Sequence, residues 1–125
     1  MFSEAIKIDP RKGNYYFNRG TAYSMFDPLK AIDDFTKALA LMPPAKRLDI
    51  ITRRGSCYIK IKDYAHALED YNTVIASGGK KETTLYDRGV IKLNMNDKAG
   101  AKLDFEEALR ANPGFDLARK ALEQI

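Results

Sequence analysis

The chain contains few of the side chains from which catalytic centres and metal sites are built. Its 125 residues include one cysteine, Cys57, and one histidine, His66. A single cysteine excludes an internal disulfide, so packing alone must hold the fold together. One Cys and one His cannot supply the ligands of a structural zinc site. The two also fall in different predicted helices, so we expect no catalysis, no metal and no cofactor.

Long apolar runs and a strong charge bias are also missing. No stretch approaches the roughly 18 to 20 apolar residues that would span a bilayer, and the N-terminal residues lack a basic region followed by an apolar one. We therefore expect no membrane partner and a cytoplasmic location by default. Lys and Arg number 21 against 17 Asp and Glu, a net charge of +4. This excess is too small to indicate nucleic acid by itself.

A repeated pattern runs through almost the whole chain. Its glycines, Gly20, Gly55 and Gly89, are spaced by 35 and 34 residues. Three copies follow one another: Tyr16-x-x-Arg19-Gly20-x-x-Tyr23, Ile51-x-x-Arg54-Gly55-x-x-Tyr58 and Leu85-x-x-Arg88-Gly89-x-x-Lys92. Regular self-similarity at this period is typical of a repeat architecture.

Each copy is followed by a second block with apolar residues at helical spacing. These blocks are Ala31-x-x-x-Phe35-x-x-Ala38, Ala67-x-x-x-Tyr71-x-x-Val74 and Ala101-x-x-x-Phe105-x-x-Ala108. The spacing predicts amphipathic helices, so each unit is a helix hairpin in which the glycine of the first helix faces an alanine of the second. One hairpin cannot bury its apolar stripe alone. We therefore predict an all-α fold, an α-solenoid of stacked antiparallel hairpins.

The order of these residues resembles the tetratricopeptide repeat. The resemblance implies a single domain of about three units, with repeats at 13–45, 46–81 and 82–114, a half repeat at 1–12 and a capping helix at 115–125. The predicted helices are 13–26, 28–41, 47–61, 64–77, 82–94, 97–111 and 115–125. Asp27-Pro28 is predicted to begin a helix as an N-cap, and Asp63 and Asp97 are predicted to begin the equivalent helices of the later repeats.

The family resemblance also implies a function, a scaffold that binds a peptide or partner protein on a concave face lined by the first helix of each repeat. We expect Phe17, Arg53 and Tyr86 to contribute most to binding, because buried aromatics and arginine dominate interface energetics. For Phe17 and Tyr86 the alternative is packing against a neighbouring helix. The predicted face consists of Asn14, Phe17, Asn18, Thr21, Met25, Asp49, Thr52, Arg53, Ser56, Lys60, Thr83, Tyr86, Asp87, Val90 and Asn94.

Some tetratricopeptide domains hold the acidic C-terminal tails of heat-shock chaperones with a clamp of lysine, asparagine and arginine. By repeat alignment those places hold Phe17, Thr21, Ser56, Thr83 and Asp87. We therefore expect such tails not to be partners. RNA binding and self-association through the terminal helices, which carry Ile6 at one end and Leu117, Ala121, Leu122 and Ile125 at the other, are the alternative functions.

The arginine before each glycine has a matching acid in the second helix. The pairs are Arg19 with Asp34, Arg54 with Asp70 and Arg88 with Asp104. Their recurrence predicts ion pairs between helices, or bridges to the adjacent repeat.

Overall fold

The computed structural model describes residues 9–125, so the segment on which the predicted half repeat depends, residues 1–8, lies outside the described residues. Residues 9–125 form seven α-helices and one short 3-10 helix, with no β-strand. The predicted all-α fold is confirmed. No helix in this range is both long and apolar enough to cross a membrane.

The chain divides into two compact units, one ending at Asp63 and one running from Tyr64 to Ile125. The first unit contains α1 (Pro10–Tyr23), α2 (Pro28–Leu41), the 3-10 helix (Pro44–Lys46) and α3 (Arg47–Lys60). The second unit contains α4 (Tyr64–Ala76), α5 (Glu82–Asn94), α6 (Lys98–Ala111) and α7 (Asp116–Glu123). Within each unit consecutive helices pack against one another.

Aspartate side chains cap α1, α2 and α6. Asp9, Asp27 and Asp97 accept hydrogen bonds from the backbone N–H three residues later, at 3.3, 3.4 and 2.9 Å. The caps predicted at Asp27 and Asp97 are confirmed, and the one predicted at Asp63 stays a prediction. The cap at Asp9 was not predicted, and with Pro10 in the first turn it places the start of α1 at Pro10 rather than at residue 13.

The end of α4 shows why glycine is needed after this helix. Gly78 has φ +100°, the left-handed region that glycine adopts without strain. The Gly79 N–H donates to the Val74 carbonyl over 2.8 Å, and the Gly78 N–H donates to the Ile75 carbonyl over 3.3 Å. This pair of bonds is a Schellman motif, and it turns the chain towards α5.

Each unit has its own apolar core built from the predicted stripes. In the first unit the buried residues are Ala31, Phe35, Ala38, Met42, Ile50 and Cys57. In the second they are Leu85, Ala101, Phe105, Ala108 and Ala118. The aromatic and alanine positions of the second block are fully buried in both cores, as an amphipathic helix requires.

The recurring spacing of glycine and aromatic reflects a direct contact between the two helices of a hairpin. A Cβ added to Gly20 would lie 3.0 Å from the Phe35 ring, and one added to Gly89 would lie 2.6 Å from the Phe105 ring. At Gly20 and Gly89 the glycine therefore faces the aromatic ring of the second helix rather than the alanine that we expected. The aromatic ring occupies the space that a side chain on the glycine would need.

Two of the three predicted arginine–aspartate pairs lie within a unit, and both are confirmed. Arg19 donates from Nε and Nη2 to the two carboxylate oxygens of Asp34 over 2.9 and 2.8 Å. Arg88 makes the same two bonds to Asp104, both 2.8 Å. The members of the third pair, Arg54 and Asp70, belong to different units, and that pair stays a prediction.

Arginine also connects a hairpin to the helix before it. Arg88 Nη1 donates to Asn72 Oδ1 on α4 over 3.0 Å, and Arg54 Nη1 donates to Thr36 Oγ1 on α2 over 3.2 Å. Thr36 and Asn72 occupy the same place in their repeats, one residue after the core aromatic. The bridge to the adjacent repeat is therefore a recurring element of this scaffold.

Candidate functional site

Fourteen of the fifteen predicted face residues lie on three helices. Four are on α1 and five on α3 in the first unit, and five are on α5 in the second. The remaining one, Met25, lies in the turn after α1 and is 85% exposed.

The first unit brings together the predicted residues of α1 and α3. The guanidinium of Arg53 lies over the ring of Phe17, with its carbon 5.1 Å from the ring centroid. Arg53 Nε also donates to Asp49 Oδ1 over 3.1 Å. Phe17 is half-buried and packs on the core ring of Phe35, with the centroids 6.0 Å apart. Phe17 therefore anchors α1 to the core and keeps part of its ring at the surface.

A second contact between these helices involves Lys60. Its ammonium group donates to the backbone carbonyl of Ser24 over 2.7 Å, at the end of α1. Lys60, Arg53 and Ser56 line an open cavity of about 150 Å³ together with Ser24. Asn14 and Asn18 on α1 are exposed. The resulting surface is cationic, contains amide groups, and has an aromatic ring beside the arginine.

Two threonines of the predicted face donate hydrogen bonds from their hydroxyl groups to backbone carbonyls of their own helices. Thr21 Oγ1 donates to the Phe17 carbonyl over 2.9 Å, and Thr52 Oγ1 donates to the Leu48 carbonyl over 2.8 Å. Each hydroxyl oxygen keeps lone pairs that can accept a hydrogen bond. These side chains can therefore receive a donor from a ligand but offer no free proton to a carboxylate.

In the second unit the predicted residues on α5 have two different environments. Tyr86 is half-buried between the rings of Phe105 and Phe115, with centroids 5.6 and 5.8 Å away. Asp87 accepts a hydrogen bond from the Tyr71 hydroxyl over 3.0 Å. Burial raises the pKa of Asp87, and the Tyr71 bond opposes that shift. Tyr86 and Asp87 therefore both contribute to the packing of this unit. Thr83 and Asn94 are exposed.

A groove of about 370 Å³ in the second unit was not predicted, because the sequence suggested only capping or self-association for α7. The groove lies between α5, α6 and α7, and the predicted residues Tyr86 and Val90 form part of its lining. Leu117 and Lys120 contribute from α7. The available signal was the helical spacing of apolar residues in the last ten positions of the chain.

The positive charge is concentrated in the first unit. Residues 1–63 contain 12 Lys and Arg against 7 Asp and Glu, a net charge of +5. Residues 64–125 contain 9 against 10, a net charge of −1. The whole excess of +4 therefore belongs to the half of the chain that carries Arg53 and Lys60, and this half would attract acidic ligands.

Cys57 is buried in the first core, and burial raises the pKa of its thiol. A buried thiol with a raised pKa is poorly suited to be a nucleophile. In the part of the chain that the structure describes, no group of three His, Cys, Asp or Glu residues is placed to hold a metal ion.

Comparison with known families identifies the repeats. The sequence model of the tetratricopeptide repeat matches residues 48–77 and 83–115, just over half of the chain. The chain belongs to the tetratricopeptide repeat family. This assignment confirms the predicted helical-repeat solenoid and the general role of a scaffold for protein interaction. The division into repeats at the predicted boundaries stays a prediction.

This tetratricopeptide repeat protein is also similar to part of a larger protein. RNA polymerase II-associated protein 3 of Xenopus tropicalis is 30% identical over 123 residues, which are 98% of this chain and 18% of the relative. The Homo sapiens protein of the same name is 31% identical over 98% of this chain and 17% of its own length. The chain therefore spans less than a fifth of the length of these two relatives.

Two solved tetratricopeptide domains have the same fold as this chain. The first such domain of Spaghetti (RPAP3), bound to the HSP90 peptide SRMEEVD, is 25% identical with a TM-score of 0.82. The alignment covers 95% of this chain and 94% of that domain. The first such domain of human RPAP3 is 25% identical with a TM-score of 0.78, and 92% and 90% of the two chains are covered.

The Spaghetti complex corrects the expectation about chaperone tails. We expected such peptides not to be partners because the clamp residues are missing at fixed positions of the repeats, yet a similar domain holds a peptide with two Glu and one Asp. Arg53 and Lys60 lie outside those positions, and the fold places both on the same surface of the first unit.

Proposed function

We propose that this chain is a non-catalytic binding module that holds an acidic peptide segment of a partner protein on the face formed by the first helices of its repeats. The observation that carries the proposal is the placement of the Arg53 guanidinium over Phe17, which combines charge and aromatic surface at the contact of α1 with α3. The net charge of +5 in the same half of the chain supports an acidic ligand.

The chemistry of this surface suits carboxylates. Arginine presents a planar fork of donors that can bind a carboxylate with two hydrogen bonds, and lysine adds a mobile charge. Asp49 already takes one hydrogen bond from Arg53 Nε, so the remaining guanidinium protons are those available to a ligand. Asn14 and Asn18 can pair with the peptide backbone because each amide offers both donors and acceptors.

In the second unit we propose that Tyr86, Val90 and the exposed residues Thr83 and Asn94 of α5 contact the ligand. Tyr86 and Val90 are half-buried, so each has apolar surface left to bury. On the concave face that the family resemblance implies, these residues would contact a different portion of the same extended peptide.

Fluorescence anisotropy with labelled SRMEEVD tests the proposal. A micromolar dissociation constant corresponds to about −8 kcal/mol, and losing a contact worth about 2 kcal/mol weakens binding about thirtyfold. We expect losses of this size for Arg53→Glu and Phe17→Ala, and for the peptide SRMQQVN, which lacks the three acidic side chains, with the parent protein. Arg11→Glu is the matched control, because Arg11 is an exposed arginine of α1 outside the predicted face.

Several results would contradict the proposal. If Arg53→Glu and Arg11→Glu bound SRMEEVD with equal affinity, the surface formed by α1 and α3 would not be the binding site. Absence of binding to SRMEEVD, with binding to a labelled oligoribonucleotide that weakens steeply with salt, would favour the RNA alternative instead. Circular dichroism of each variant ensures that a loss of binding is not a loss of folding.

A further inference from the structure

We infer that the groove between α5, α6 and α7 is a second recognition site, which accepts a large apolar side chain of a peptide next to an acidic residue. The inference rests on the proposed function, because it gives the same class of ligand a contact in the second unit. It shares Tyr86 and Val90 with the contact proposed for α5, but it adds α7, and neither α1 nor α3 takes part.

The floor of the groove is apolar. Tyr86, Val90 and Leu93 come from α5, Phe105 comes from α6, and Leu117 and Ile125 come from α7 and the residues after it. Leu117 is 53% exposed and Ile125 is 42% exposed. Apolar surface of this extent in a concave site gains free energy when it is covered.

The size of the groove fits a side chain rather than a whole helix. Its volume of about 370 Å³ lies near the lower end of the range for ligand pockets, which is about 300 to 1,000 Å³. A leucine, methionine or phenylalanine side chain together with its backbone would fill much of this space. A packed helix would need a longer channel.

The charged residues that line the groove indicate that the ligand also carries an acidic side chain. Lys98 and Lys120 are the charged residues that line the groove, and neither forms a salt bridge within residues 9–125. By contrast, Lys92 is paired with Asp104, and Arg119 is paired with Asp116. The unit as a whole has a net charge of −1, so a groove bordered by two unpaired lysines is a local exception.

The apolar floor and the two ammonium groups together define the ligand. An apolar side chain would lie against Val90 and Leu117, and a neighbouring Glu or Asp of the same peptide would lie within reach of Lys98 or Lys120. A purely apolar ligand would leave the lysines unused, and a basic peptide would be repelled.

Residue-resolved NMR with a synthetic peptide can test this site, because the expected ligand is defined by its chemistry. The probe is the peptide acetyl-SLELEG-amide, and its matched control is acetyl-SLQLQG-amide, which keeps the leucines but lacks the charges. We expect the acidic probe to produce saturable shifts in the amide signals of Val90, Lys98, Leu117 and Lys120. The neutral peptide should shift the same signals with an affinity about three- to tenfold weaker.

Two variants and two matched controls establish which side chains matter. Leu117→Ser and Lys120→Glu should each weaken the binding of the acidic peptide about three- to tenfold. Leu103→Ser and Lys102→Glu should leave the affinity unchanged, because both residues are exposed on α6 and lie outside the lining of the groove.

The result also separates this inference from the proposed function. Shifts confined to α1 and α3 would overturn the second site and leave the proposed function intact. Shifts at the groove together with no effect of Arg53→Glu on SRMEEVD would support the groove and overturn the first-unit site. No shift in any signal, or equal affinity of the Glu and Gln probes, would overturn the inference.

Discussion

Arg88 and Asp104 are joined by two parallel hydrogen bonds, in which Nε and Nη2 of the guanidinium donate to the two carboxylate oxygens over 2.8 Å each. Asp104 is only 2% exposed, and Lys92 also approaches it at 3.2 Å. The bond to Asp104 raises the pKa of Arg88 above its ordinary value. A buried carboxylate of this kind depends on its cationic partners for solvation.

Replacing Arg88 with methionine should therefore destabilise the fold. Removal of one partner of a fully buried pair costs about 3 to 5 kcal/mol, and an exposed pair contributes about 0 to 1 kcal/mol. Arg88 is partly exposed and Lys92 remains, so we expect a loss of about 2 to 3 kcal/mol in urea unfolding. The double variant Arg88→Met/Asp104→Leu should recover part of this loss.

Arg119→Met is the control for the arginine substitution, because Arg119 and Asp116 are both more than half exposed. It should change the free energy of unfolding by less than about 0.5 kcal/mol. A similar cost for Arg88→Met and Arg119→Met would show that the pair with Asp104 contributes little to stability.

Gly89→Ala tests the close approach of α5 and α6. The new methyl group would lie 2.6 Å from the Phe105 ring, so the ring must move within a packed core. Overpacking of this kind costs about 1 to 3 kcal/mol, which exceeds the gain of about 1 kcal/mol in helix propensity. Gly20→Ala, with 3.0 Å to the Phe35 ring, should cost less.

Gly114→Ala provides the matched control in thermal unfolding, because the nearest atom to the added Cβ is 3.7 Å away. We expect the order of melting temperatures to follow the distances, with Gly89→Ala lowest and Gly114→Ala unchanged. Melting of Gly89→Ala at the temperature of the parent protein would contradict the contact with Phe105.

The start of α1 illustrates which features of the fold the sequence predicts and which it does not. The helical period predicts the order of the helices and most of their bounds, because burial repeats every 3.6 residues. The predicted start of α1 is three residues late because Asp9-Pro10 also fits the end of a preceding helix. The same Asp-Pro pair predicts the cap correctly at Asp27-Pro28, where an apolar stripe follows more plainly.

The candidate site was less predictable than the fold. Periodicity placed Phe17 and Arg53 on the first helices, but the distance between them depends on how α1 and α3 pack, which no local pattern specifies. The groove beside α7 requires side chains from three helices, including Phe105 and Leu117, and is visible only in three dimensions. The glycine contacts were misassigned for the same reason, since an alanine and an aromatic at neighbouring positions are equally compatible with the spacing.

Asp87→Asn should stabilise the protein at neutral pH. Because burial raises the pKa of Asp87, the charged form is penalised in the folded state at pH values above the unfolded-state pKa. The penalty disappears as the pH falls and the carboxyl becomes protonated, so the parent should approach the variant in stability at acid pH. Asparagine keeps an oxygen that can accept the Tyr71 hydrogen bond.

Thermal unfolding between pH 4 and pH 8 measures this difference. The melting temperature of Asp87→Asn should be slightly higher than that of the parent at pH 7, with the gap closing towards pH 4. Glu123→Gln is the control, because Glu123 is exposed near the end of α7 and should show no such trend. A variant less stable than the parent at every pH would mean that the Asp87 charge is favourable in the fold.

The apolar residues of α7 are also candidates for a surface through which two copies of the chain could associate. Ala118 is fully buried, and Ala121 and Leu122 are partly buried and pack on the core of the second unit. Leu117 on the same helix is 53% exposed. Because the buried side of α7 is covered by its own unit, we expect this helix to cap the chain rather than to join two molecules.

The same substitution at two positions distinguishes capping from association. Leu122→Glu places a charge against the core and should cost about 2 to 3 kcal/mol in urea unfolding, whereas Leu117→Glu should leave stability within about 0.5 kcal/mol of the parent. Sedimentation of the parent across a concentration series should show a monomer. An oligomer that grows with concentration and is abolished by Leu122→Glu, without a loss of stability, would instead establish α7 as an interface between copies of the chain.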